Sequence, residues 1–234
     1  VPKPLAVDLF CGLGGWTEGL LAEGYDVIGY DIEQHQYGDH SYPAQLVLQD
    51  VTTLHGSQFK DAALIVASPP CQAYSYRAMP WKKAKALPPP DNTLFETCFR
   101  IQREASEAAG RHIPLIVENV RGAQKWVGRA RWNHGSFYLW GDVPALMPVT
   151  LKTVKVPSFR FDGSGKSFQT ASVKHVSDDN GRKIGGDWFS DPTSTCRRHG
   201  SKSKGRKMAS AMIAKIPLPL SRHIAAVYHP KTSP

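Results

Sequence analysis

Two residues capable of covalent and proton chemistry stand at the ends of apolar, strand-like runs. Cys71 lies in Ser68-Pro69-Pro70-Cys71-Gln72-Ala73-Tyr74-Ser75, directly behind Ala62-Ala63-Leu64-Ile65-Val66-Ala67, and Glu118 follows Pro114-Leu115-Ile116-Val117. An ionised thiol is a potent nucleophile, and a carboxyl beside it can hold or donate a proton. The two prolines fix the backbone φ and end strand pairing, which points the thiol into a crevice. A third signal is Gly12-Leu13-Gly14-Gly15, a tight turn after residues 5–10, where glycine lets the backbone approach a ligand closely. Asp31 closes the strand-like stretch Tyr25–Tyr30, a place where an acid commonly meets a ribose, and Asp50 follows the shorter stretch Ala44–Leu48.

The elements that must carry these residues read as an α/β fold. Strand 5–10, the glycine turn and a helix over Trp16–Glu23 begin a doubly wound parallel sheet. A fourth strand at 62–67, a helix over Leu94–Ala109 with apolar residues at helical spacing, and strand Pro114–Val117 continue it. Gly135–Trp140 reads as a further strand, and a last helix spans Ser221–Tyr228. Open sheets of this kind bind ligands at the carboxyl ends of their strands. Phe10 to Gly15, Asp31, Asp50, Cys71 and Glu118 are therefore expected to converge on one crevice. From about 144 to 207 the regular pattern fades into short pieces, turns and basic clusters, so the expected division is 1–143 plus 208–230 as one domain and 144–207 as a small inserted region.

The chain of 234 residues is 41% hydrophobic and 21% charged, with no apolar run near the roughly twenty residues of a membrane helix, so it reads as soluble and without membrane association. Val1-Pro2-Lys3-Pro4 leads straight into the first strand without a signal-peptide pattern. Cys11, Cys71, Cys98 and Cys196 lie far apart, with neither CxxC pairs nor histidine spacing that would hold zinc, which fits reduced thiols in a cytoplasm and no metal. The net charge of +9 is unevenly placed: residues 1–150 hold thirteen basic against fifteen acidic residues, 151–207 thirteen against five, and 208–234 three against none. A basic block in a Gly/Ser-rich stretch raises nucleic acid as a partner.

DLFCGLGG (8–15), SPPCQAYS (68–75) and VENV (117–120) occur in order on suitable strand ends, and the chain resembles the DNA cytosine-5 methyltransferases. The resemblance implies a Rossmann-like, S-adenosylmethionine-dependent sheet with a small, irregular, basic target-recognition region. It also implies Cys71 as the nucleophile on carbon 6 of a flipped-out cytosine in double-stranded DNA, and Glu118 as its assistant. Phe10, Gly12, Leu13, Gly15, Asp31, Ile32, Asp50, Val51, Pro70 and Leu94 match cofactor-binding positions. Lys82 and Lys83 fall in the loop that would close over a phosphate backbone, and Arg197, Arg198, Lys202 and Lys204 lie in the recognition region. Compact members of this sort look like orphan enzymes of phages or prophages, acting in a bacterial or phage-infected cytoplasm, with no obligatory protein partner evident.

Two departures stand out. The family's Gln-x-Arg-x-Arg motif is missing; Gly128-Arg129-Ala130-Arg131 offers Arg129 and Arg131 as candidates, while the positions matching the arginines fall near His134 and Ser136. In Ile213-Ala214-Lys215-Ile216-Pro217, Ala214 replaces the family's asparagine. Competing readings are a transfer RNA cytosine-5 methyltransferase, a catalytically weak DNA-binding protein and, from the glycine turn alone, a nicotinamide dehydrogenase.

Overall fold

The computed structural model describes residues 2–75, 88–147 and 214–230, with isolated positions at 86, 207, 211 and 212. The chain divides into two compact units, Val1–Lys152 with Ile216–Pro234, and Thr153–Lys215. The expected recognition region, 144–207, falls almost wholly outside the described residues, and the sheet belongs to the first unit.

The strands are β1 (Leu5–Leu9), β2 (Asp26–Asp31), β3 (Gln45–Leu48), β4 (Ala62–Ala67), β5 (Leu115–Asn119), β6 (Trp132–His134) and β7 (Phe137–Gly141). The helices are α1 (Gly15–Ala22), α2 (Thr93–Ala109), the single turn α3 (Gln124–Val127) and α4 (Leu218–Tyr228). The strands form one sheet in the order β3-β2-β1-β4-β5-β7-β6. Strands β1 to β5 run parallel to one another, and β7 enters antiparallel to β5 and β6. This is a Rossmann-like α/β sheet whose strand order reverses between β1 and β4.

The central strands are apolar on both faces because both are covered, as parallel sheets require. Val7, Leu9, Ile65, Ala67, Leu115 and Val117 face Phe95, Cys98, Ile101 and Ala105 of α2. Ala6, Leu64, Val66 and Ile116 face Trp16 and Leu20 of α1 and Leu220, Ile224 and Ala225 of α4. α2 ends on Gly110 in the left-handed region (φ 63°), where a side chain would be strained.

Two elements depart from the sequence reading. Helix α4 begins at Leu218, three residues before the expected start, because Pro219 sits in the first turn, where no N–H partner is lost. The three-residue strand β6 is too short to show a period of two, and it appears only as the hairpin partner of β7.

Candidate active site

The turn after β1 takes an uncommon backbone path. Phe10, Gly12 and Gly14 all take positive φ (57°, 51° and 75°), a conformation that costs a non-glycine residue such as Phe10 about 1–3 kcal/mol. The turn is held by Cys11 N–H on the Tyr30 carbonyl at 3.2 Å and Gly14 N–H on the Cys11 carbonyl at 2.8 Å. A Cβ on Gly12 would meet nothing within 4 Å, so open space lies there, whereas one on Gly14 would strike Pro43 Cδ at 2.5 Å. At the end of β2, Asp31 Oδ2 accepts the Gly12 N–H at 2.9 Å, and His35 Nε2 lies 3.6 Å from Oδ1. Burial pushes the Asp31 carboxyl up, but hydrogen bonds from His35 and Gly12 outweigh it and hold the group below the usual carboxylate range. The neighbouring Ile32 is 73% exposed, an apolar platform open to solvent.

The other matched positions fall on several elements. Asp50 is exposed at the end of β3, its Oδ1 accepting from Thr52 N–H and Oγ1 at 2.9 and 2.8 Å. Gly15 opens α1, Leu13 and Val51 are buried, and Leu94 is half-buried in the first turn of α2. Pro70 is exposed beside Cys71.

Cys71 and Glu118 come together at the carboxyl ends of the adjacent strands β4 and β5. In the parallel register Ala67 stands beside Val117, so one residue further on Ser68 stands beside Glu118 on the face that carries α1. Burial pushes Glu118 up to about 8, partly offset by a hydrogen bond from the Ser68 side chain. The carboxyl is therefore mostly protonated at neutral pH. Cys71 is half-buried, and its thiol is pushed up by burial and then by the charge of Glu118, which places the two groups within electrostatic reach. Asn119 straps the thiol's loop down: its Nδ2 donates to the Pro69 carbonyl at 2.9 Å, while its Oδ1 accepts the Val120 N–H at 2.8 Å. Beyond the thiol, Tyr74 and Ser75 N–H both bond the Cys71 carbonyl at 3.0 Å. Tyr74 buries its ring and donates its hydroxyl to Asn92 at 3.0 Å.

Arg129 and Arg131 are exposed and line a depression of about 400 Å³ with His112, Leu115, Gly141 and Asp142, where β5 starts and β7 finishes, while the Arg131 N–H bonds the carbonyl of Leu139, the register partner of Glu118, at 2.9 Å. His134 and Ser136 sit at the β6–β7 turn, one step beyond the level of Asn119 and so at the end that carries Glu118. Lys82, Lys83, Arg197, Arg198, Lys202 and Lys204 lie outside the described residues.

Three residues that sequence reasoning left without a role take part here. Ser68 and Asn119 lie inside the quoted motifs, where the reactive neighbours Cys71 and Glu118 drew the reading. Asp8 lies within DLFCGLGG; it is 1% exposed, accepts from Thr17 Oγ1 at 2.6 Å, and leaves Oδ1 without a hydrogen-bond partner. Burial pushes its carboxyl up to about 7. Its type and position were visible, but its missing partner is a property of the fold.

Comparison with known proteins assigns a family. A curated relative, the type II methyltransferase M.DdeI of Desulfomicrobium norvegicum, is 29% identical over 125 residues, which cover 50% of this chain and 28% of that protein. Among solved structures, a chain assigned as a DNA modification methyltransferase encoded within an E. coli prophage is 25% identical with a TM-score of 0.37, covering 53% of this chain and 34% of that one. The Entamoeba histolytica methyltransferase EhMeth is 16% identical with a TM-score of 0.38, covering 53% and 40%. The chain thus spans well under half the length of each of these proteins. The family profile for the C-5 cytosine-specific DNA methylase matches residues 6–133, from the first strand through the glycine turn, the cysteine loop and Glu118 to β6, and the chain belongs to that family.

Proposed function

We propose that this chain methylates carbon 5 of cytosine in duplex DNA, with S-adenosylmethionine as the methyl donor, Cys71 as the nucleophile and Glu118 as the acid beside it. The observation that carries the reading is the Cys71–Glu118 pair: a thiol and a carboxyl with a pKa of about 8, coupled at the ends of two neighbouring strands. Carbon 5 of cytosine is a poor nucleophile until a group adds to carbon 6. As Cys71 Sγ bonds to carbon 6, negative charge develops in the ring, and a protonated Glu118 at ring nitrogen 3 stabilises it by giving or sharing its proton. A neutral Glu118 also removes the charge that disfavours the Cys71 thiolate. After methyl transfer, loss of the carbon 5 proton and breaking of the sulfur–carbon 6 bond return Cys71 and release the methylated base.

Residues around the glycine turn fit the donor. The ionised Asp31 can accept from ribose hydroxyls, exposed Ile32 can pack on adenine, and Gly12 leaves room for close approach. The orphaned Oδ1 of Asp8 gives a buried acceptor for an ammonium donor arriving at the turn. When bound, S-adenosylmethionine supplies an electrophilic methyl group carried on a sulfonium. A paired base is out of reach of a thiol in a cleft, so the reading includes flipping the target nucleotide. The basic excess after residue 150 supports a nucleic-acid partner, with Lys82, Lys83, Arg197, Arg198, Lys202 and Lys204 as phosphate contacts.

Purified protein, with Cys71→Ala beside it, is incubated with labelled donor and mixed-sequence duplex DNA, and the product is digested to nucleosides. 5-Methylcytosine from the wild type alone is the expected result. Label appearing only in RNA, or DNA binding with no methyl transfer at saturating donor, overturns the reading.

A further inference from the structure

The tryptophan that follows the glycine turn reaches the serine beside the acid. Trp16, on α1, is 2% exposed, and its Nε1–H donates to Ser68 Oγ at 3.0 Å. Ser68 stands one step beyond the last paired residues of β4 and β5, beside Glu118 and on the same face of the sheet. An indole N–H can only donate, so it occupies a lone pair of the serine oxygen and leaves the serine hydrogen to be placed elsewhere. The acceptor at hand is the Glu118 carboxyl. A carboxyl oxygen that receives a hydrogen bond is the poorer place for the acid's own proton, which is thereby favoured on the other oxygen.

We infer that Trp16 and Ser68 form a positioning relay that orients the Glu118 carboxyl, so that Glu118 holds its proton on the oxygen turned away from Ser68. The inference deepens the proposed function, since the favoured oxygen is the one free to face a base. Ser68 and Trp16 touch no substrate in this scheme and act through Glu118. Among the described residues, the groups around Glu118 on the sheet are these. Leu139 is its partner on β7, Cys71 is the titratable neighbour coupled to it, and His134 lies two strands away on β6. The relay also ties α1, which begins at the donor-binding turn, to the acid.

The test follows the Glu118 titration directly, by carbon-13 NMR of carboxyl-labelled glutamate in the whole chain without DNA, the signal assigned with Glu118→Gln. Ser68→Ala removes a hydrogen bond to the ionised form and should raise the Glu118 midpoint by about one pH unit. Ser68→Thr, which keeps the hydroxyl, should restore it. Trp16→Phe should raise it by less in the wild-type background and not at all in Ser68→Ala. An unmoved midpoint in Ser68→Ala, or an equal effect of Trp16→Phe with and without Ser68, overturns the relay. Because the readout needs no methyl transfer, a shifted midpoint in a protein that methylates nothing would retain the relay and sink only the proposed reaction.

Discussion

Glu118 is a carboxyl whose burial sets its chemistry. With its pKa near 8 it keeps a proton where an exposed glutamate would have lost it, and a protonated acid beside a thiol can both stabilise the ring anion and tolerate the thiolate. The reaction needs Glu118 protonated and Cys71 ionised, so kcat/KM at saturating donor should rise with pH until the Glu118 pKa near 8, level off where the gain of thiolate offsets the loss of the acid, and fall only above the raised pKa of the Cys71 thiol. Glu118→Gln cannot ionise, so its profile should lose that limb while its rate drops about 10²–10⁴-fold. The glycine turn, proposed to hold the donor, has the opposite electrostatic demand. Asp31 is held ionised by Gly12 and His35, and Asp31→Asn should weaken donor binding roughly 10–100-fold, as for loss of a hydrogen bond to a charged acceptor, measured by calorimetric titration.

At the scale of elements, the site depends on how closely helices and loops approach one another. Gly19 of α1 lies against α4 so tightly that a Cβ would fall 2.3 Å from Ser221 Oγ and 2.5 Å from the Arg222 nitrogen. Gly19→Ala should cost about 1–3 kcal/mol by overpacking and lower the melting temperature, read by calorimetry. Gly122 is a more local case: its Cβ would meet the Tyr74 carbonyl oxygen at 2.2 Å, behind the Cys71 loop. Gly122→Ala should reduce kcat more than stability, because the loop can yield at the expense of the thiol's position. These contacts mark where the sequence stops being readable. Strands β1, β2 and β4 and helix α2 were legible because long apolar runs and helical spacing fix them locally. The register that sets Ser68 beside Glu118, the Asn119 strap and the closeness of α1 to α4 arise only when distant segments meet. Cys71 and Glu118 were singled out for a different reason, since the proposed chemistry demands their residue types. Arg129 and Arg131, chosen as a partial match to the Gln-x-Arg-x-Arg spacing, line the depression where β5 starts, and β6 runs on from them past the level of Glu118 to His134.

For the whole molecule, charge separates labour along the chain. The first 150 residues are slightly acidic and the rest strongly basic, so affinity for DNA should come mainly from the basic stretch and weaken steeply with salt. Replacing Arg197, Arg198, Lys202 and Lys204 by alanine should lower the slope of log affinity against log salt by up to about one per residue and leave donor binding unchanged. Among the described residues no helix is long and apolar enough to cross a membrane. The placement of α4 bears on how such a chain is made. Tyr25 donates its hydroxyl to the Ala225 carbonyl across 200 positions, and Arg222 Nε lies 2.7 Å from Glu23 Oε1. A ribosome releases every strand of the sheet, and the whole basic stretch, before it releases this helix. Until then Trp16 and Leu20 lack the cover that Leu220 and Ile224 give their face of the sheet, and a nascent chain displaying them is a natural client for chaperones. The basic stretch, with thirteen basic against five acidic residues over 151–207, meanwhile emerges before the face that carries Trp16 is closed.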